Sequence, residues 1–351
     1  MESKEKIAVV LALAATVGAG VLRHFDANVV LTFGVTALAL ALLALIVGDA
    51  TEQLGSRLGP GATGILQSAL GNLPELFVCI FALRAGLTDV VKAALVGSIL
   101  GNSLLVFGLA LFLGGLRNGK QVFASEPPKL IATLMLLAVS ALMIPTLAKE
   151  LHAPAEQHIG ALSVACSVVL LVVLCASTYF SVKGDKSLAP STPTDGHVGW
   201  GLPLTLGLLA ASSVGAAFVS DWFVEGLQPA MKVLGINDTF AGLVVVAIAG
   251  NAIENLVGIQ LAWRNQADYA VSVILNSSLQ VSLGLIPALV LLSLVIGGSV
   301  LTLVLPPLLL VALALTALVT AFVVYDGESI WLEGLALIGL YCIIAASFWW
   351  G

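Results

Sequence analysis

The chain alternates long apolar runs with short stretches that carry charge, Pro or Gly. A membrane-crossing helix needs about 20 mostly apolar residues. Eleven stretches meet or approach that length: roughly 6–24, 28–48, 61–84, 89–114, 129–148, 156–182, 200–220, 239–263, 268–296, 299–324 and 330–350. The third and eighth carry Asn and Glu near their centres. Residues 221–235 (DWFVEGLQPAMKVLG) are amphipathic and read as an extension of the seventh helix to the interface. Residues 183–199 (KGDKSLAPSTPTDGHVG) form the one sizeable hydrophilic linker. The pattern predicts an all-α polytopic membrane protein of about 11 transmembrane helices.

Composition agrees. The chain is 59% hydrophobic and 10% charged, with a mean hydropathy of +1.09. A soluble domain carries about 25% charged residues, so a water-soluble globule is excluded. Basic residues are scattered, which leaves no nucleic-acid footprint. Cys79, Cys166, Cys175 and Cys342 stand singly in apolar runs and read as packing residues. The first apolar run is followed by Arg23-His24-Phe25-Asp26, not by a small-residue cleavage site, so it reads as a retained helix. Loops on the N-terminal side carry Lys4, Lys6, Arg57, Arg117, Lys120, Lys129, Lys183, Lys186 and Arg264, and the opposite side carries Arg23, Arg84, Lys92, Lys149 and Lys232. That excess places the N-terminus in the cytoplasm.

The two stretches with polar centres resemble each other. Residues 71–83 read GNLPELFVCIFAL and residues 250–262 read GNAIENLVGIQLA. At a constant offset of 179, Asp89 falls on Asp268, Ser98 on Ser277 and Ser103 on Ser282, giving 10 identities in 34 ungapped positions. Farther upstream, the segment around Asp49 and Glu52 resembles that around Asp221 and Glu225. The organisation read from this is an N-terminal helix (1–27), a first five-helix repeat (28–182), the linker (183–199) and a second repeat (200–351). Five is odd, so the second repeat is expected to be inverted, with a binding site near the midplane where the repeats meet.

Glu75 and Glu254 are the candidate cation- and proton-binding residues. A carboxylate at bilayer depth costs roughly 2.5–3.5 kcal/mol, and here one stands at the same place in each repeat. Asn72 and Asn251 precede them at i−3 on the same helix face. Gly71 and Gly250 allow close approach or unwinding, and Pro74 releases the Leu70 carbonyl from helical bonding. Ser98 with Asn102, and Asn276 with Ser277 and Gln280, add oxygen on the partner helices. This is a hard all-oxygen set without His or Cys, which suits Ca2+. Two carboxylates balance one divalent cation. Left empty in a low dielectric they repel each other, so the site is expected to load protons instead. Helix–helix hydrogen bonding is the alternative role for the Glu and Asn residues. Asp89 and Asp268 read as helix N-caps. Asp49, Glu52, Asp221 and Glu225 read as solvated helix ends or as a cation antechamber.

The motifs GNLPELF…VVKAALVGSILGN (71–102) and SDWFVEGLQP…FAGLVVVAIAGNAIEN…SSLQ (220–280) resemble the cation/proton exchanger branch of the calcium/cation antiporter superfamily. The resemblance implies ten core helices in two inverted repeats plus a first helix, and often an oligomer. It makes Glu75 and Glu254 the central ligands and proton carriers, with Asn72, Asn251, Ser98, Asn102, Ser277 and Gln280 lining the site. Two positions depart from the family pattern: Asn255 stands where His is common, and Asn276 where Gly is usual. The expected activity is exchange of Ca2+, or a related divalent cation, for protons by alternating access. A Na+/Ca2+ exchanger, or a cation exchanger with another coupling ion, is the alternative. No HExxH or GxSxG occurs, so an enzyme is not expected. Ca2+ and H+ are the expected substrates with no cofactor, the lipid bilayer is the surroundings, and a prokaryotic cytoplasmic membrane is the expected location.

Overall fold

The computed structural model describes residues 3–25, 27–58, 66, 70–183 and 199–349. The linker lies almost wholly outside these residues. The helices are α1 (Ser3–His24), α2 (Val29–Leu58), α3 (Leu73–Arg84), α4 (Thr88–Asn118), α5 (Glu126–Glu150) and α6 (Ile159–Lys183). The chain continues in α7 (Leu202–Leu234), α8 (from Asp238, ending in Ala247–Trp263), α9 (Ala267–Ser293), α10 (Pro307–Val323) and α11 (Trp331–Trp349). Three of them contain a π turn: Gly101–Val106 in α4, Ala241–Val246 in α8 and Val281–Leu285 in α9. At the 179-residue offset the first and third fall on matching positions.

Among the described residues, eight helices are long and apolar enough to cross a membrane, or nine if Asp238–Asn251 and Leu256–Trp263 are one span. This is fewer than the eleven spans expected, for local reasons. The third stretch was placed at 61–84, but its helix begins at Leu73, after a turn at Gly71-Asn72, with Pro74 in the first turn. There Pro has no intrahelical bond to lose. Residues 59–65 and 67–69 lie outside the described part. The tenth was placed at 299–324, but its helix starts at Pro307.

Residues 299–306 are instead non-helical, with Leu301, Leu303 and Leu305 buried. Their backbone N–H groups donate to Ser293 Oγ (3.0 Å), Ser163 Oγ (3.1 Å) and Thr146 Oγ1 (2.9 Å). Irregular backbone at this depth is tolerated only where protein satisfies it. The amphipathic stretch 221–235 does continue the seventh helix, as far as Leu234, and Gly235 ends it in the left-handed region.

Helix ends collect on two faces. On the N-terminal face Trp200 receives Gln53 and Glu5 as acceptors and its carbonyl accepts from Arg57. A two-stranded antiparallel pair, β1 (Gln121–Val122) with β2 (Glu328–Ser329), lies on the same face. On the opposite face Arg23 meets Glu225, and the Ser299 N–H meets the Leu83 carbonyl. α4 and α9 run through the centre: 78% of the most apolar window of each is buried, against 11% for α1 and 17% for α6. The outer helices keep their apolar side chains turned outward, as lipid permits and water does not. α2 and α7 pack along each other, and α1 packs on α2.

Candidate cation site

The Glu75 carboxyl lies in the first turn of α3 and is buried. The positive end of that helix faces the carboxylate. Helices from both halves of the chain meet it. The Ser98 hydroxyl on α4 donates to Glu75 Oε1 at 2.7 Å. Asn251 Nδ2 on α8 donates to the same oxygen at 2.5 Å and to Ser98 Oγ at 2.9 Å. Hydrogen bonds to a charged acceptor are roughly twice as strong as neutral ones. They compensate a carboxylate taken out of water.

Close backbone approach makes the meeting possible. A Cβ on Gly250 would stand 2.8 Å from Glu75 Cγ. α4 and α8 touch through a reciprocal glycine contact: a Cβ on Gly97 would be 2.7 Å from Leu243 Cα, and one on Gly242 would be 2.7 Å from Ala93 Cβ. A cavity of about 10 Å3, bordered by Glu75, Cys79, Ser98 and Gly250, adjoins the carboxyl. It has room for about one water.

A second group lies on the α4–α9 crossing. Asn102 Nδ2 donates to Ser277 Oγ at 2.9 Å, and the Ser103 and Ser278 hydroxyls are 2.8 Å apart. Gln280 is buried just before the α9 π turn. π turns recur at functional sites because they break the helical ladder.

Of the residues singled out in the sequence, Glu75, Ser98, Asn251 and Gly250 are brought together. Asn102 and Ser277 are joined beside them. Gly71 lies in the turn before α3, and Asn72 is buried at the start of α3 without capping it through its side chain. Asn276 is half-buried and makes no hydrogen bond among the described residues. The side chains of Glu254 and Asn255 lie outside the described residues, although their backbone belongs to α8.

Two expectations are corrected. Glu75 does not lie near the middle of its helix: it stands in the first turn, next to Pro74. Asp89 and Asp268 are not N-caps: they lie in the first turns of their helices, after Leu87 and Gln266. Asp268 Oδ1 instead accepts from the Ala124 N–H at 2.5 Å.

The glycine contact of α4 with α8 and the Ser103–Ser278 pair were not read from the sequence. The spacing of Ala93, Gly97 and Gly101 by fours was the available signal, since small residues at that interval allow helices to approach in membranes.

Residues 28–183 and 204–350 match the family described as sodium/calcium exchanger protein. The chain belongs to that family. The Ca2+/H+ antiporter of Synechocystis sp. is 36% identical over 336 residues, covering 90% of each chain. That of Aphanothece halophytica is 34% identical over 347 residues, covering 93% of this chain and 91% of the other. The solved structure of native YfkE superposes with a TM-score of 0.83 at 30% identity, covering 98% of this chain and all of that one. These exchangers bear out the resemblance to the cation/proton branch.

Proposed function

We propose that this exchanger moves Ca2+, or a related divalent cation, against protons by alternating access, with Glu75 and Glu254 binding either the cation or protons. The observation that carries the reading is the buried Glu75 carboxylate, held by Ser98 from its own half and Asn251 from the other. In the conformation described, Asn251 offers Glu75 its N–H group. A cation needs oxygen, so loading requires Asn251 to turn its amide and present Oδ1 beside the Glu75 and Ser98 oxygens. A proton on Glu75 needs no such turn. Cation and proton thus demand different arrangements of one set of residues, and this makes the two occupancies exclusive.

The two matching motifs, and the matching π turns in α4 and α9, support two inverted five-helix repeats after an N-terminal helix. The excess of Lys and Arg on the N-terminal face supports a cytoplasmic N-terminus, and the bacterial relatives support a prokaryotic cell membrane. Asn72, Asn102, Ser277, Gln280 and Asn276 line the route or rearrange along it.

The test is Ca2+ uptake into proteoliposomes under an imposed pH difference. The unmodified protein should take up Ca2+, and Glu75→Gln and Glu254→Gln should abolish uptake. Uptake that ignores the pH difference and follows a Na+ gradient would assign the other coupling ion. Survival of transport in either variant would remove that glutamate from the site.

A further inference from the structure

The face opposite the N-terminus holds a polar cavity of about 710 Å3, lined by Arg23, Arg84, Asp221, Glu225 and Gln228 among others. It shares Phe81 and Asp221 with an apolar cleft of about 350 Å3 between α3 and α7. α3 carries Arg84 at this mouth and Glu75 at its buried end.

The charges here come from three sources. Asp221 and Glu225 belong to α7 and Arg84 to α3. Arg23 belongs to α1, the helix outside both proposed repeats. Its guanidinium bonds Glu225 Oε2 at 2.6 Å and lies 5.6 Å from the Trp222 ring centroid. The seat is fitted: a Cβ on Gly20 of α1 would touch Trp222 at 3.4 Å. Among the described residues two cations and two carboxylates leave the mouth neutral, and without Arg23 they would be net negative.

We propose that this cavity is the cation's mouth on the face opposite the N-terminus, and that Arg23 is a positioning residue that sets the mouth's charge by neutralising Glu225, so lowering apparent affinity for divalent cations on that face alone. The inference rests on the exchange reading above. Both pair members are substantially exposed, so the bond itself adds little stability. Its effect is on the field seen by an arriving divalent ion.

The measurement is KM for Ca2+ from each face of oriented proteoliposomes under a fixed pH difference. At about 10 mM ionic strength, Arg23→Gln should lower KM at the Arg23 face about two- to fivefold. Glu225→Gln should raise it by a similar factor, and the double variant should return it to the starting value. Arg23→Lys should behave as the unmodified protein. Maximal rate and KM at the N-terminal face should stay unchanged, and the shifts should shrink below about twofold at 0.5 M salt.

No shift, shifts of the same sign in both single variants, equal shifts at the two faces or shifts that persist in high salt would overturn the proposal. If Arg23→Gln fails to assemble, the rise in KM for Glu225→Gln carries the test alone. Failure of the unmodified protein to couple Ca2+ to the pH difference would overturn the exchange reading instead.

Discussion

Asn102 donates to the Ser277 hydroxyl at 2.9 Å, and this bond ties α4 to α9 at the centre of the molecule. At the 179-residue offset the matching pair is Val281 and Ser98. Valine has no amide to offer, and Ser98 donates to Glu75 instead. The amide tie is therefore made from the first half only. Asn102→Val should lose this tie at a stability cost of about 1 kcal/mol, the scale of interhelical hydrogen bonds in membranes. The expected readout is a small drop in thermal unfolding temperature with a larger, roughly tenfold fall in initial Ca2+ uptake; unchanged uptake would reduce Asn102 to a packing role.

Ser98→Ala removes one of the donors on Glu75 Oε1 and one of the acceptors for Asn251. A hydrogen bond to a charged group contributes about 1.5–3 kcal/mol, equivalent to about a ten- to hundredfold change in an equilibrium. Uptake should fall within that range while Ser98→Thr, which keeps the hydroxyl, retains most activity. Equal activity of the two variants would argue that the hydroxyl is not used.

Gly250→Ala puts a methyl 2.8 Å from Glu75 Cγ and should displace the carboxylate from Ser98 and Asn251. Transport is expected to be lost although the protein still reaches the membrane. Gly339→Ala is the control, since a Cβ there meets nothing within 4 Å. Gly97→Ala should act differently, by wedging α4 from α8 at a cost of about 1–3 kcal/mol, visible as reduced thermal stability.

The Lys120–Glu328 ion pair joins side chains that are about half exposed. Glu328→Gln should change stability by less than about 1 kcal/mol. Gly327→Ala, at φ +78° and with its Cβ 2.8 Å from the Phe123 carbonyl, should cost more. Comparing the two melting temperatures separates charge from backbone shape in this corner.

The Glu75 group was legible because the chain states its motif twice. A repeated Gly-Asn-x-x-Glu, with Ser98 and Ser277 at equal spacing, marks residues that must meet wherever the repeats do. The apolar runs located the helices because membrane depth imposes length and hydropathy together. The run 299–306 misled for a related reason. Leu301, Leu303 and Leu305 are apolar because they are buried, while their backbone is satisfied by Ser293, Ser163 and Thr146 from distant helices. Hydropathy reports burial, not the partner of each N–H. Asp89 and Asp268 mislead because a first-turn acid resembles a cap two positions away. The role of Asp268 depends on the Ala124 N–H, 144 residues distant.

The short β1–β2 pair carries a mechanical consequence. With the Phe123 N–H on the Gly327 carbonyl, Asn118 Nδ2 on the Ala262 carbonyl and Asp268 on Ala124, it binds the ends of α4 and α8 to the starts of α9 and α11. Four helices are thus tied at a single knot on the N-terminal face, and they cannot part there without breaking these hydrogen bonds.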